Sequence, residues 1–357
     1  MSQLWKKNLI NITPYVAGEQ PENSRIIKLN ANENPYPPSP MVEKILRDKN
    51  AADLRKYPSA DAVPLKKALA RRYGVREENV FCGNGSDDVL AAAFRAFFNS
   101  DKPVFFPDVT YSFYPVWCEV LKIPYETKPV NSDFEIDTKD YYEENGGVVI
   151  PNPNAPTSIG KPLDIVIDLL EHNQDCVVII DEAYIDFAPD GFSSVGLIEK
   201  YKNLVVTQTF SKSRSLAGMR IGMAFADPEL ISYMQAVKDS YNSYPLDQLA
   251  IETAAASLSD EKYFAETIDR IKNTRDEGKK ILRKMGFTVL NSDTNFLFAS
   301  HPEYSAKAIF EFVRENGVFI RYFNKPRIDG FLRITVGTDD EMSVLYKALE
   351  KFFESVK

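Results

Sequence analysis

From about Asn79 onward, short apolar runs rich in β-branched residues alternate with helix-like segments. Runs of this length and composition are typical of strands that are buried on both faces. Their alternation with helices predicts an α/β fold, in which a mostly parallel sheet is covered by helices. The runs are "NVFCG", "KPVFFPD", "GGVVIPNPN", "CVVIIDEAY" and "NLVVTQTFSK".

The pattern changes after about Pro245. A long, charged, helix-like stretch covers residues 246–285, and short strand-like runs and a last helix follow it. That helix opens with Thr338 and Glu341 at the spacing of a capping box. We therefore predict a large domain over residues 31–245 and a smaller α+β domain over 246–357. Residues 1–30, rich in Pro and Asn, are predicted to pack on the small domain or on a partner subunit.

Composition excludes several classes of function. The net charge of −8 argues against nucleic acid as a partner. Two histidines leave almost no material for a Ser-His-Asp triad or a histidine metal site, and the three cysteines form no C-x-x-C pair. The N-terminus lacks the apolar region of a signal peptide, and the aliphatic runs are too short to span a bilayer. We expect a cytoplasmic protein with no bound metal and no membrane partner.

Polar residues follow four of the predicted strands. Ligands of doubly wound sheets bind at the carboxyl ends of strands, so these residues should meet at one edge. Their convergence is stronger support for a site than any single motif. The four groups are Gly83–Asp87, Asn152–Thr157, Asp181–Tyr184 and Ser211–Lys212.

One of these groups suits an anion, and another suits a cation. "CGNGSDD" is a glycine-rich loop that enters a helix, where free N–H groups can hold a phosphate. Asp88 stands where the third glycine of a dinucleotide fingerprint belongs, so NAD binding is not supported. Asp181 follows a buried strand, and a buried carboxylate needs a cation or hydrogen-bond donors. A helix cap or loop acid is the alternative role for Asp181.

Lys212 is the central candidate, although most lysines are simply solvated. Apolar strands on either side and the nearby Arg214 and Arg220 would disfavour its charged form. An uncharged amine can form a Schiff base. A Schiff-base lysine, a phosphate-binding loop and an acid for a pyridine nitrogen together describe a pyridoxal 5'-phosphate site.

Longer motifs carry a family resemblance over nearly the whole chain. "TFSKSRSLAGMRIG" resembles the lysine signature of the fold-type I pyridoxal-phosphate aminotransferases. The remaining motifs are similar to those of the histidinol-phosphate aminotransferases within that superfamily, and some are shared with aromatic aminotransferases and threonine-phosphate decarboxylases. They are "PYVAGEQ", "KLNANENPYPPSP", "RKYP", "GNGSDD", "PDVTYSFY", "DEAYIDF" and "LRITVGT".

The resemblance implies a role for each matching residue. Lys212 would bind the cofactor covalently, Asp181 would pair with its ring nitrogen, Tyr184 with its ring oxygen, and Tyr111 would stack on the ring. Tyr57 would reach the cofactor phosphate of the other subunit, which implies a homodimer. Arg333 would hold the anionic end of the substrate, with Arg321 and Tyr15 near a substrate phosphate. The remaining residues expected at the cofactor phosphate are Ser86, Asp87, Thr209, Ser211 and Arg220.

One position departs from the family pattern. Ala155 occupies the place of an asparagine that bonds the ring oxygen in many members, and Ser158 replaces a glycine. A branch of the family shares the alanine. We expect Asn154 to supply the amide instead.

The resemblance implies transamination of L-histidinol phosphate and 2-oxoglutarate to imidazole-acetol phosphate and L-glutamate, in a ping-pong cycle of histidine biosynthesis. An aromatic amino-acid aminotransferase and a threonine-phosphate decarboxylase are alternatives on the same fold. A cofactor-binding regulator would need an added DNA-binding domain, for which the chain has no spare segment. A catalytically silent α/β protein would make every strand-end coincidence accidental.

Overall fold

The computed structural model describes residues 9–10, 12–15, 18–20 and 26–356. The helices and strands follow the alternation that the sequence predicts. In chain order they are β1 (Ile27–Lys28), α1 (Pro40–Asp48), α2 (Val63–Tyr73), β2 (Val80–Gly83), α3 (Ser86–Phe97), β3 (Val104–Pro107), α4 (Phe113–Leu121), β4 (Tyr125–Lys128), β5 (Gly147–Pro151), α5 (Leu163–His172), β6 (Val178–Asp181), β7 (Leu204–Thr209), β8 (Gly222–Ala226), α6 (Pro228–Tyr241), α7 (Gln248–Ser257), α8 (Glu261–Lys284), β9 (Thr288–Val289), β10 (Phe296–Ser300), α9 (Ala306–Glu315), β11 (Val318–Phe319), β12 (Arg321–Tyr322), β13 (Phe331–Thr335) and α10 (Asp339–Ser355).

A seven-stranded sheet has the strand order β2-β8-β7-β6-β5-β3-β4. This sheet and the helices that cover it are called the large unit below. β8 runs antiparallel to both of its neighbours, and the other pairings are parallel. The predicted α/β fold with a mostly parallel sheet is confirmed. Because β2, β5, β6 and β7 share one direction, their carboxyl ends meet at one edge.

Helices cover both faces of this sheet, as the β-branched strands require. Ile180 of β6 packs with residues of α1, α2, α5 and α7, whereas its neighbour Ile179 packs with residues of α3, α4 and α6. Successive residues of a strand point to opposite faces, so a strand buried on both sides is apolar at every position. This arrangement leaves the strand ends as the place where polar groups gather.

The small unit is built on a four-stranded antiparallel sheet with the order β12-β13-β10-β9. α8, α9 and α10 supply apolar residues to its core. The predicted capping box is present at the start of α10, where Thr338 Oγ1 accepts from the N–H of Glu341 and the Glu341 carboxylate accepts from the N–H of Thr338. None of the helices in the described ranges is both long and apolar enough to cross a membrane.

The described end of the N-terminal segment contacts the small unit. β1 pairs with β11 in parallel, and Leu29 is buried in the core of the small unit. The Glu19 carboxylate lies 2.7 Å from Arg314 of α9. Residues 1–8, 11, 16–17 and 21–25 of the predicted segment lie outside the described residues.

The helix-like stretch predicted over residues 246–285 consists of two helices, α7 and α8. Asp260 begins α8 because its carboxylate accepts from the N–H of Tyr263. Ala250, Ile251 and Ala254 of α7 are buried in the core of the large unit. We therefore propose that the domain boundary lies between α7 and α8, rather than at residues 245–246.

Candidate active site

A cavity of about 290 Å³ lies at the carboxyl edge of the large sheet and is closed from the other side by the small unit. Most of the residues predicted for the site line this cavity. They are Tyr15, Ser86, Asp87, Tyr111, Asp181, Tyr184, Thr209, Ser211, Lys212, Arg220, Arg321 and Arg333.

Lys212 follows β7 and enters the cavity. Its Nζ donates to the carbonyl oxygen of Ala31 at 3.3 Å and lies 5.8 Å from the centre of the Tyr184 ring. Within the described residues no carboxylate lies within 4.0 Å of this amine. The amine therefore has no salt-bridge partner in the described part of the chain.

Asp181 ends β6 and is 5% exposed. Its Oδ2 accepts from the Tyr114 hydroxyl at 2.8 Å, and its Oδ1 accepts from Thr207 Oγ1 and from the N–H of Ala183, both at 3.3 Å. Burial raises the pKa of Asp181 to about 6, although these hydrogen bonds oppose the shift. All three donors are uncharged, so a cation placed beside the carboxylate would lower its pKa and be stabilised in turn.

Glu182 is equally buried but serves another purpose. Its carboxylate accepts from Ser193 Oγ at 2.8 Å, the N–H of Ser194 at 2.5 Å and Gln208 Nε2 at 2.8 Å. Burial raises the pKa of Glu182 to about 7. Glu182 therefore fixes the loop after β6, while its neighbour Asp181 lines the cavity.

Tyr111 is held by the first turn of α3. Its hydroxyl donates to Asp87 Oδ1 at 2.8 Å, and the other oxygen of Asp87 lies 3.4 Å from Arg220 Nη2. Burial and the charge of Asp87 both raise the pKa of Tyr111. The Asp87 carboxylate thus fixes both an aromatic ring and a guanidinium at the wall of the cavity.

Two glycines allow Arg220 to approach the start of α3. Gly85 has φ +87°, and a Cβ there would lie 2.5 Å from Arg220 Nη2. A Cβ on Gly222 would lie 2.4 Å from the backbone nitrogen of Ser86. The close approach brings the guanidinium, the hydroxyls of Thr209 and Ser211 and the N-terminal N–H groups of α3 to one end of the cavity. This donor set fits a phosphate.

The side of the cavity formed by the small unit carries two arginines. Arg321 and Arg333 are directly opposite each other on β12 and β13, and each guanidinium lies 5.5 Å from the Phe323 ring. Arg333 Nη2 donates to the carbonyl oxygen of Asn30 at 3.0 Å, and its buried Nε has no partner among the described residues. Like charges directly opposite each other are unfavourable, so an anion here would compensate them.

Tyr15 closes the cavity near Tyr111. Its ring stacks on Phe113 with the centroids 4.3 Å apart and lies 6.1 Å from the Tyr111 ring. Tyr15 lies far from the strands of the large sheet in sequence, so sequence order alone does not predict that it lines a cavity at their ends.

Two predicted residues do not line the cavity. Asn154 is buried and its Nδ2 donates to the carbonyl oxygen of Val109 at 2.9 Å. Ala155 lines the cavity instead, and the buried Oδ1 of Asn154 has no partner among the described residues. The expectation that Asn154 supplies an amide to the cofactor stays a prediction, and this arrangement does not favour it. Tyr57 is 82% exposed and lines a separate surface cavity with Leu54.

The sequence interpretation missed the role of Asn32. Its Nδ2 donates to the Tyr184 hydroxyl at 2.9 Å, and its Oδ1 accepts from Thr335 Oγ1 at 3.1 Å. Asn32 therefore orients Tyr184 from the side of the small unit. The residue lies in the quoted motif "NANENP", but the motif does not reveal which side chain it contacts.

Arg214, which the sequence predicts near Lys212 but without a binding role, ties the lysine loop to the proposed domain boundary. Its Nη1 donates to the carbonyl oxygen of Ser257 at 2.8 Å and its Nη2 to Glu261 Oε1 at 3.1 Å. The guanidinium also lies 4.0 Å from the centre of the Phe264 ring. Arg214 is thus structural, and it links the end of α7 to the start of α8.

The family model for aminotransferase class I and II matches residues 24–349. This chain belongs to that family. The aminotransferase is 48% identical to the histidinol-phosphate aminotransferase of Lactococcus lactis subsp. cremoris (strain MG1363), over 98% of each chain. It is also 48% identical to the histidinol-phosphate aminotransferase of Acinetobacter baumannii (strain SDF), over 98% of this chain and 97% of the other.

Solved structures show the same fold. The aminotransferase aligns with the histidinol-phosphate aminotransferase of Sinorhizobium meliloti, solved in complex with pyridoxal-5'-phosphate, at a TM-score of 0.85 and 27% identity. The alignment covers 92% of this chain and 91% of that one. The L-threonine-O-3-phosphate decarboxylase of Porphyromonas gingivalis has a TM-score of 0.80 at 24% identity and covers 92% and 100% of the two chains. At that identity the likeness concerns the fold alone.

Proposed function

We propose that this aminotransferase binds pyridoxal 5'-phosphate and transfers the amino group of L-histidinol phosphate to 2-oxoglutarate, giving imidazole-acetol phosphate and L-glutamate. The observation that carries the proposal is the 48% identity to histidinol-phosphate aminotransferases over 98% of the chain. The cavity supports it, because its two ends each offer donors to an anion and its centre holds an amine.

The residues of the cavity fit this cofactor. Asp181 is a buried carboxylate whose hydrogen-bond donors are all uncharged, and it suits a protonated ring nitrogen. Arg220 and the start of α3 suit the phosphate, and Tyr111 offers an aromatic face. When bound, pyridoxal phosphate supplies an aldehyde that reacts with amines and a ring that withdraws electrons from the substrate Cα.

The side chains of this chain have separate tasks in the proposed reaction. Lys212 would supply the amine that holds the aldehyde, and its free amine would accept the proton from the substrate Cα and donate it to C4′ of the cofactor. Asp181 would hold the proton on the ring nitrogen. Tyr184, oriented by Asn32, would supply a hydroxyl to the ring oxygen. None of these steps needs a histidine.

Arg321 and Arg333 are proposed to hold the anionic end of either substrate, with Tyr15 beside them. Histidinol phosphate carries a phosphate there, whereas glutamate carries a carboxylate. A guanidinium can bind both anions because its planar N–H groups donate to two oxygens of either one. The pairing of two arginines on adjacent strands provides enough positive charge for a phosphate.

The choice of amino donor tests this function directly. We expect L-histidinol phosphate to bleach the visible absorbance of the purified holoenzyme at least about 30-fold more efficiently than L-phenylalanine, because a charge-assisted phosphate contact is worth roughly 2 kcal/mol or more. Rapid-mixing spectroscopy with each donor measures the difference. 2-Oxoglutarate should then restore the absorbance.

Two outcomes would contradict the substrate assignment. Faster bleaching by phenylalanine would indicate an aromatic aminotransferase. Release of carbon dioxide from threonine phosphate, with no requirement for 2-oxoglutarate, would indicate a decarboxylase.

We also propose a homodimer, in which Tyr57 of one subunit reaches the cofactor phosphate of the other. An exposed apolar surface formed by Leu54, Tyr57 and Tyr244 supports this proposal, and the centres of its two tyrosine rings lie 4.7 Å apart.

The mass of the protein in solution and a variant of Tyr57 test the dimer. Sedimentation should give twice the 40.5 kDa of one chain. Tyr57→Ala should weaken cofactor binding about 10-fold, the loss of one hydrogen bond to a charged group. The control Tyr233→Ala removes an exposed tyrosine of α6 and should leave cofactor binding unchanged. Equal losses of cofactor affinity in the two variants, or a monomeric mass, would refute the proposed dimer.

A cytoplasmic location stays a prediction. The three cysteines are free thiols in the structure, as is usual in a reducing compartment. Fractionation of the producing cell checks it.

A further inference from the structure

A buried tyrosine, Tyr114 of α4, contacts the carboxylate that faces the cavity. Tyr114 is 0% exposed, and its hydroxyl donates to Asp181 Oδ2 at 2.8 Å. This is the shortest of the hydrogen bonds that Asp181 accepts from the described residues. Asp181 itself is 5% exposed, so water contributes little to the solvation of this pair.

The ring of Tyr114 is fixed by aromatic neighbours. It lies 5.7 Å from Phe106, 6.2 Å from Phe94 and 5.7 Å from Tyr111, measured between ring centres. A phenylalanine would fill the same space without a polar atom to bury. A hydroxyl in such surroundings is unfavourable unless it is hydrogen-bonded, so its presence points to the contact with Asp181.

The groups that face Asp181 do not act alike on its charge. Tyr114, Thr207 and the N–H of Ala183 donate hydrogen bonds and favour the ionised carboxylate. Burial and the negative charge of Asp87 favour the neutral acid. A phenol beside a carboxylate can only donate, because its own ionisation is suppressed by burial and by the charge of Asp181. Tyr114 therefore acts as a fixed donor to Oδ2.

We propose that Tyr114 is a positioning residue, which keeps the Asp181 carboxylate ionised and oriented toward the ring nitrogen of the cofactor. The inference rests on the proposed function. Thr207 and Ala183 bind Oδ1 at longer range, so they cannot replace the contact to Oδ2. Through Asp181, Tyr114 determines how firmly the ring nitrogen holds its proton, and hence how well the ring withdraws electrons.

Tyr114→Phe tests the proposal because it removes only the hydroxyl. The readout is the ¹⁵N NMR signal of pyridoxal phosphate labelled at the ring nitrogen and bound to the protein. We expect this signal to move toward that of an unprotonated pyridine, and kcat to fall about 10- to 100-fold with KM little changed. That range corresponds to one hydrogen bond to a charged group.

The matched control is Tyr73→Phe. The Tyr73 hydroxyl also makes a short hydrogen bond, to Gln208 Oε1 at 2.6 Å, but Tyr73 packs on the other face of the sheet and does not contact Asp181. Both variants should lower the melting temperature. Only Tyr114→Phe should move the ¹⁵N signal, and Tyr73→Phe should keep kcat within twofold of the wild type.

A double variant shows whether Tyr114 acts through Asp181. In an Asp181→Asn background, adding Tyr114→Phe should change kcat less than twofold, since the carboxylate it serves is absent. An unchanged ¹⁵N signal in folded Tyr114→Phe, with kcat within twofold of the wild type, would reduce Tyr114 to a packing residue and overturn the inference. A wild-type protein that binds no cofactor would overturn the proposed function, and the inference with it.

Discussion

Lys212→Ala is expected to lower kcat for transamination by at least about 10⁴-fold, because the variant loses both the amine that binds the aldehyde and the base that moves the Cα proton. Among the described residues that line the cavity there is no second amine, since the other cations are guanidiniums. Borohydride reduction of the wild-type holoenzyme should attach the cofactor to the peptide that contains Lys212. Steady-state rates and peptide mass spectrometry measure the two effects.

Lys161→Ala is a suitable control. Lys161 also follows a strand of the large sheet, but its ammonium forms a salt bridge with Glu135 at 3.0 Å outside the cavity. This variant should keep wild-type turnover and should still be labelled at Lys212. Wild-type turnover in Lys212→Ala, or labelling at another lysine, would show that the proposed mechanism is wrong.

Arg333→Gln is expected to lower kcat/KM for histidinol phosphate by about 10²–10³-fold, the usual effect of truncating one partner of a buried charge pair. The glutamine amide can still donate to Asn30, so the substitution tests the charge rather than the backbone contact. The kcat/KM of Arg333→Lys should lie between those of Arg333→Gln and the wild type, because a lysine keeps the charge but loses the planar pair of donors. Steady-state kinetics with both substrates provide the measurement.

The cofactor gives an internal check on this variant. Arg220, not Arg333, lies at the end of the cavity proposed for the cofactor phosphate, so Arg333→Gln should bind pyridoxal phosphate within twofold of the wild type. Arg47→Gln removes an exposed arginine of α1, paired with Glu43, and should leave kcat/KM unchanged. An unaltered kcat/KM in Arg333→Gln would exclude this arginine from the substrate site.

The sequence was sufficient to predict those elements that depend on residues close to one another in the chain. Short β-branched runs such as that of β6 favour buried strands, and the polar residues that follow parallel strands are then expected at one edge. Thr338 and Glu341 predicted the start of α10 because a capping box needs only neighbours in sequence. The break at Asp260 was missed because a single cap residue inside a charged helical pattern resembles an ordinary helical position.

Contacts between distant segments could not be read from the sequence. Asn154 and Ala155 are adjacent, and the direction of each side chain depends on the loop backbone, which places the amide against Val109. Nothing in the motif around Tyr114 indicates that its hydroxyl contacts Asp181. The likeness to a family supplied the roles of residues that match its motifs, but it gave no account of the side chains that support them.

The pairing of Ile27 with Val318 has a consequence for biosynthesis of the protein. A nascent chain exposes the first of these residues early, yet its strand partner leaves the ribosome only near the end of translation. The carbonyls of Asn30 and Ala31, which contact Arg333 and Lys212, belong to the same early segment. A translation product that ends before Val318 therefore lacks the strand partner of this segment, together with Arg321 and Arg333, and its pocket is incomplete.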